Sequence, residues 1–315
     1  MQNEQFTNQH NLPQEVVAAI TKDRYTTEGE ADSDYSASTL VAPVQKTVLE
    51  RRYKGVKGKL RIFDVIDEFW AFLGSIAHAV LEEAWHASMG SIVETRLYMK
   101  MLGKTVSGKF DVYAEALAQI RDYKTCKVYK IMKGDFSDWE KALNVYAQLL
   151  REAGKPVKEI KIVAMITDWK KGEAKYKANY PEAPIKIIPI RLWDEKEAKA
   201  YIKHRVQSLI TAESLSDEEI AQQFPCTNKE RWKDLKDFAI IKNDVDDNGR
   251  ATKSCATYEE AEQAIGEKGW HASHRIVERW TDATRCIDWC AAAPICHQWQ
   301  AEKGDDDESQ PAAAF

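Results

Sequence analysis

No apolar run in the 315 residues reaches the roughly 20 needed to cross a bilayer. The opening MQNEQFTNQHN lacks a signal-peptide pattern, so a cytoplasmic protein with no membrane partner is expected. There is no internal repeat. Excess charge is also missing: a net charge of −5 excludes a protein that coats nucleic acid wholesale, although a local basic track remains compatible with it. Only six cysteines are present, and in a reducing compartment they read as thiols or metal ligands rather than disulfides. What is present, 44% hydrophobic and 30% charged residues, is the composition of a soluble globular chain. Its length allows one main domain with an appendage.

Composition shifts divide the chain into four parts. Residues 1–36 are polar and expected to be flexible, apart from a short helix across Pro13–Thr21. Residues 37–214 carry the strand and helix patterns of a core. Residues 215–300 are cysteine-rich. Residues 301–315 form an acidic, Ala- and Pro-containing tail expected to be disordered.

Within the core, the stretch VSGKFDVYAEALAQIRDYKTCKVYKI (106–131) holds two acids, Asp111 and Asp122, eleven positions apart, with Lys124 two beyond the second. Val106–Tyr113 and Ile120–Tyr129 are β-branched and aromatic enough to be paired strands. Such a hairpin brings the two acids together, and Asp122 and Lys124, two apart on a strand, share a face. Converging carboxylates repel unless a cation lies between them, and hard oxygen ligands suit Mg²⁺ or Mn²⁺. A lysine beside them neutralises a phosphoryl group or holds a water.

Around this stretch, Thr39–Tyr53 reads as a strand or loop followed by a helix. Phe63–Trp85 reads as an apolar helix broken near Gly74, and Ser91–Lys100 as a strand on which Glu94 lies, more readily solvated than facing the acids. Asp138–Ala153 is an amphipathic helix. Val157–Asp168 and Pro184–Leu192 are strands, and Asp194 N-caps a helix to Leu209. The connection between the two strands carries Lys170, Lys171, Lys175 and Lys177 with Trp169, Tyr176 and Tyr180 interleaved, a pattern suited to single-stranded nucleic acid.

Gly108-Lys109-Phe110-Asp111 and Asp122-Tyr123-Lys124-Thr125 resemble the G-x-x-D and D-Y-K-T elements of the PD-(D/E)XK nucleases, the RecB-like and phage-type exonucleases in particular. Gly74-Ser75-Ile76-Ala77-His78 resembles their G-x-x-x-H element. Tyr146 matches the tyrosine of Q-x-x-x-Y, but Ala142 stands where the glutamine would be. The resemblance spans residues 39–298. It implies an α/β fold with a PD-(D/E)XK (restriction-endonuclease-like) core, a mixed sheet flanked by helices, and a small cysteine-rich C-terminal segment. It also implies metal ligation by His78, Asp111, Asp122 and the Tyr123 carbonyl, catalysis by Lys124 with Tyr146 in contact, and a 5′-phosphate product.

Five of the six cysteines lie beyond residue 215. Cys286, Cys290 and Cys296 form a C-x₃-C-x₅-C trio, and with Cys226 they make a soft set for a [4Fe–4S] cluster or, alternatively, a zinc ion. Cys255 is the alternative fourth ligand, and His297 could replace a thiolate around zinc. RecB-like exonucleases that carry a cluster usually place one cysteine before the core and C-x₂-C in the trio; this chain departs on both counts.

The expectation is a Mg²⁺- or Mn²⁺-dependent deoxyribonuclease, an exonuclease acting on DNA ends or single strands in phage or bacterial recombination, repair or DNA processing. If phage-encoded, it would work in the bacterial host cytoplasm. Its partners are DNA and, through an acidic tail ending in Phe, a recombination or single-strand-binding protein. Two alternatives stay open: a catalytically weak DNA-binding accessory protein retaining the fold, and a zinc-dependent interaction module.

Overall fold

The structure is a computed structural model that describes residues 6–22, 33–86 and 91–304. The expected acidic tail beyond 304, like parts of the expected flexible N-terminal segment, lies outside the described residues. Two compact units emerge: Met1–Ala42 with Ile62–Ser214, and Pro43–Arg61 with Leu215–Phe315. Residues 43–61, expected in the core, cluster with the cysteine-rich end.

In chain order the first unit begins with β1 (Phe6–Thr7), α1 (Gln14–Ile20), β2 (Tyr35–Ser36) and α2 (Ala37–Val41), before α3 (Val44–Arg52) enters the second unit. It resumes with β3 (Phe63–Asp64), α4 (Phe69–His86), β4 (Ser91–Val93), β5 (Arg96–Met101), β6 (Lys104–Lys109) and β7 (Val112–Ala114). Then come β8 (Gln119–Cys126), α5 (Val128–Lys133), α6 (Ser137–Glu152), β9 (Glu159–Ile166), α7 (Lys171–Tyr176), β10 (Ile185–Ile190) and α8 (Glu195–Glu213).

The main sheet has the order β10-β9-β8-β7-β4, so β8 is central. Its β8–β9 pair is parallel and the other pairs are antiparallel. A parallel neighbour needs a crossover, which α5 and α6 supply. On α6, Trp139, Leu143, Ala147 and Leu150 recur at helical spacing and bury against Ile120, Ile160 and Ile162. On β9 the alternation is complete, with Ile160, Ile162, Ala164 and Ile166 all turned inward. A smaller sheet has the order β2-β6-β5. The unit is thus a mixed α/β fold with its sheets flanked by helices.

Several expected elements come out differently. Val106–Tyr113 is not one strand: β6 pairs with β5 and β2, while β7 pairs with β8. The break falls at Phe110 and Asp111, because Phe110 is buried in the core and the Asp111 carboxylate accepts the Tyr123 N–H at 2.6 Å, where a ladder bond would otherwise run. The second strand stops at Cys126 rather than Tyr129. The Asp168 carboxylate accepts the Val128 N–H at 2.7 Å and opens α5, and Gly134, at φ 68°, closes it. Thr39–Tyr53 holds no strand but two helices, separated where Ala42, extended as residues before proline are, precedes Pro43. Helix α4 passes Gly74 without a break.

The second unit contains α3, α9 (Asp217–Gln223), β11 (Leu235–Lys242), β12 (Lys253–Cys255), α10 (Tyr258–Lys268), β13 (His274–Trp280) and α11 (His297–Gly304). Its described residues include two hydrophobic clusters. In one, Ile240 and Cys255 of the β12-β11-β13 sheet pack against Ala261, Ala264 and Ile265 of α10. In the other, Leu49 of α3 packs with Cys290, Ala293, Cys296 and Trp299.

Candidate metal centre and cysteine cavity

The site sits at the middle of the main sheet. Asp122 and Lys124 project from one face of β8, and their side chains meet in an ion pair of 2.6 Å. Asp111, at the break before β7, is fixed by two bonds: its carboxylate holds the Tyr123 N–H, and its carbonyl accepts the Glu94 N–H at 3.0 Å. His78 arrives from α4. An added Cβ at Gly74, one turn earlier, would stand 3.4 Å from Thr125 Oγ1, so α4 passes β8 at about side-chain contact distance. His78 Nε2 lies 3.1 Å from the Tyr123 carbonyl oxygen, and its Nδ1 lies 3.4 Å from Asp111 Oδ1 and 3.9 Å from Glu94 Oε1.

His78, Asp111, Asp122 and Lys124 are therefore together, with the Tyr123 carbonyl turned toward the histidine. Tyr146, on α6, lies near Lys124. One residue joins them against expectation. Glu94, in a left-handed conformation at φ 48° between β4 and β5, has a side chain only 14% exposed and is salt-bridged to Lys109 at 2.6 Å. No motif spacing announces it; the nearest signal was an acid on a strand leading toward Asp111.

Ligand atoms of His78, Glu94 and Asp111 lie within 4.8 Å of one another, so this trio can hold a metal ion. The electrostatics fit that chemistry. If His78 Nε2–H donates to the Tyr123 carbonyl, the Nδ1 lone pair faces two carboxylates, which is repulsive unless a proton or a cation lies between. Without a metal the proton takes that place: burial lowers the His78 pKa, but Asp111 and Glu94 outweigh it and lift it to about 10. Burial, opposed by Lys124 and reinforced by Asp111, raises Asp122 to about 6. Burial disfavours the charged Lys124, but Asp122 and Asp111 overcome this and hold it above the ordinary lysine value. Asp122 Oδ2 is held by the Lys124 ammonium at 2.6 Å, whereas His78 Nδ1 meets only the carboxylates of Asp111 and Glu94. A divalent cation answers all of these strains at once.

The four cysteines named above converge in the second unit. Cys226, Cys286, Cys290 and Cys296 line one small cavity with Gln45 and Leu49, and the Cys226 thiol reaches Gln45 Oε1 at 3.5 Å. Burial first, then Glu230 and the three other cysteines, push the Cys226 thiol up to about 12; the thiols feel one another. Cys255 is excluded as the fourth ligand because it is buried in the separate cluster under α10. His297 faces Glu218 at 3.4 Å and does not line the cavity.

No protein-family model matches this chain, and no curated protein does. Solved structures do match in shape. The crystal structure of SSO0001 is 15% identical with a TM-score of 0.45, covering 67% of this chain and 92% of that one. A phage related exonuclease from Haemophilus somnus 129PT is 12% identical with a TM-score of 0.33, covering 62% and 90%. Likeness at this level carries no argument about activity, and the case for function rests on the side chains of this chain.

Proposed function

We propose that the first unit is a divalent-metal-dependent deoxyribonuclease of PD-(D/E)XK type, an exonuclease acting at DNA ends or in single strands. The observation that carries the reading is the convergence of His78, Glu94 and Asp111 ligand atoms beside the buried Asp122–Lys124 pair. Hydrolysis of a phosphodiester needs a cation at the phosphoryl oxygens, a held water and a positive group near the developing charge.

His78, Glu94, Asp111 and Asp122 would hold Mg²⁺ or Mn²⁺, which supplies Lewis-acid polarisation of the phosphoryl group when bound. The Tyr123 carbonyl keeps His78 in the tautomer whose Nδ1 lone pair faces the cation position. Lys109 fixes Glu94 through its ion pair. Lys124, held protonated by its acidic neighbours, acts as a fixed cation that orients the water and offsets charge on the phosphate, rather than as a free base. Tyr146 supports Lys124 from α6.

The test is digestion of DNA with EDTA and with Mn²⁺ added back, wild type beside Lys124→Ala and Asp111→Ala. The reading requires metal-dependent cleavage that both substitutions abolish. Equal cleavage by all three proteins, with contaminating nuclease removed, would show that this site is not the catalyst.

For the second unit, we propose a structural [4Fe–4S] cluster held by Cys226, Cys286, Cys290 and Cys296. Four thiols lining one small buried cavity make a soft ligand set that suits such a cluster, with a zinc ion as the alternative occupant.

A further inference from the structure

The proposed nuclease leaves a second concavity of the first unit unassigned. It has a volume of about 580 Å³ and lies between α5 and the segment around α7, lined among others by Tyr129, Met132, Lys133, Lys170, Lys177 and Tyr180. The sequence had offered Trp169, Tyr176 and Tyr180 as base-stacking rings. Two of these are occupied in the fold: Trp169 donates to the Pro181 carbonyl, and Tyr180 is buried, its hydroxyl accepting the Lys170 N–H. The ring presented to solvent inside the groove is Tyr129, 61% exposed, with Met132 one turn along at 40%.

The charge there opposes that of the chain as a whole. The groove's lining carries Lys133, Lys170 and Lys177 against Asp168 and Glu173, in a protein of net charge −5. Of those acids, Asp168 is engaged at the start of α5, and Glu173 is shared between Lys170 and Lys177 at 3.5 and 3.6 Å. Lys133 stands 5.5 Å over the Tyr129 ring. The chain leads from the metal centre to this groove. Strand β8 runs from Lys124 directly into α5, and Lys127, at the turn, lies 4.1 Å over the half-exposed Trp70 ring of α4. The same helix α4 walls the cleft of about 500 Å³ that contains His78 and Lys124.

We propose that this groove is the track along which single-stranded DNA lies as it approaches the metal centre, with phosphates on Lys133, Lys170 and Lys177 and a base stacked on Tyr129. The substrate class follows from the nuclease reading, on which this inference rests. Single strands are favoured over duplex because an exposed ring stacks only on a base whose face is free, whereas duplex bases are already stacked.

The test measures binding and cleavage separately on the full chain. Affinity for an oligothymidylate is read in EDTA across a salt series, for wild type, Tyr129→Ala and the double variant Lys133→Gln/Lys177→Gln. Tyr129→Ala is expected to weaken binding about fivefold to hundredfold. The double variant is expected to lower the slope of log affinity against log salt by about 1.4. In Mn²⁺ both should raise KM on the oligomer while leaving hydrolysis of thymidine 5′-(p-nitrophenyl phosphate), too short to reach the groove, unchanged. Wild-type affinity and slope in both variants would overturn the track even if the enzyme cuts DNA. Equal loss on blunt duplex, or binding of oligouridylate in preference to DNA, would overturn the occupant. Weakened binding in the variants together with no hydrolysis by the wild type would keep the track and sink the nuclease.

Discussion

His78 is the residue on which the electrostatics of the site turn. Without a metal its ring holds a proton up to a pH of about 10, because Asp111 and Glu94 overcome burial. Metal ligation needs the neutral ring. Binding of Mn²⁺ at pH 7.5 should therefore release a proton, seen as a dependence of the calorimetric heat on the ionisation enthalpy of the buffer. Affinity should rise with pH up to about 10. A heat independent of buffer, with His78→Gln binding Mn²⁺ as tightly as wild type, would show that the ring is no ligand. Asp122 gives a second test, of the opposite kind to an ordinary salt-bridged carboxylate. Its folded pKa, about 6, lies above the ordinary aspartate value because burial disfavours the charged form. The group therefore favours the folded state most below pH 4, and that contribution is lost as pH rises through 6. In EDTA, Asp122→Asn should melt above wild type at pH 8 and close to it at pH 4. The same substitution should abolish activity. The nearness of Asp111, Asp122 and Lys124 was legible in the sequence because paired strands bring the acids together and put Asp122 and Lys124 on one face, while His78 came from the resemblance of Gly74–His78 to a nuclease element. Glu94 was not legible, because its place depends on a left-handed residue after a three-residue strand, and nothing in local sequence fixes that.

At the scale of elements, periodicity located α6 and β9, whose buried faces repeat regularly, and β-branched composition located β10, where only Ile188 is buried. It could not find the break between β6 and β7. There a single buried aspartate replaces a ladder hydrogen bond, a decision taken by tertiary contact. It also carried β8 too far, since Val128-Tyr129-Lys130-Ile131 is as β-branched and aromatic as a strand; the Asp168 cap and Gly134 make it a helix. The contact between β6 and α6 offers a test of packing at the site. A Cβ on Gly108 would fall 2.6 Å from Leu149 and 2.9 Å from Tyr146. Gly108→Ala should therefore destabilise the protein by about 1–3 kcal/mol and lower kcat through displacement of Tyr146. An unchanged melting temperature and kcat would contradict this close approach.

Over the whole molecule the chain builds two units that are not contiguous in sequence. The boundary near residue 214 could be read from the composition shift. The return of α3 to the cysteine-rich unit could not, since its burial of Leu49 against Cys290 and Cys296 joins residues more than two hundred positions apart. That unit makes its own prediction: protein purified without oxygen should contain iron and acid-labile sulfide at about four each per chain. Cys226→Ser should lose them and Cys255→Ser should retain them, and one zinc with no iron would replace the cluster by a tetrahedral site. The central claim concerns the first unit and has the most direct test. End-labelled single- and double-stranded DNA is incubated with Mg²⁺ or Mn²⁺ and with wild type or Asp122→Ala. The account predicts degradation by the wild type alone, only with metal, with labelled mononucleotides or short oligonucleotides released from one end. Intact DNA with both proteins, while gel shifts show both bound, would contradict it and leave a DNA-binding accessory protein in its place.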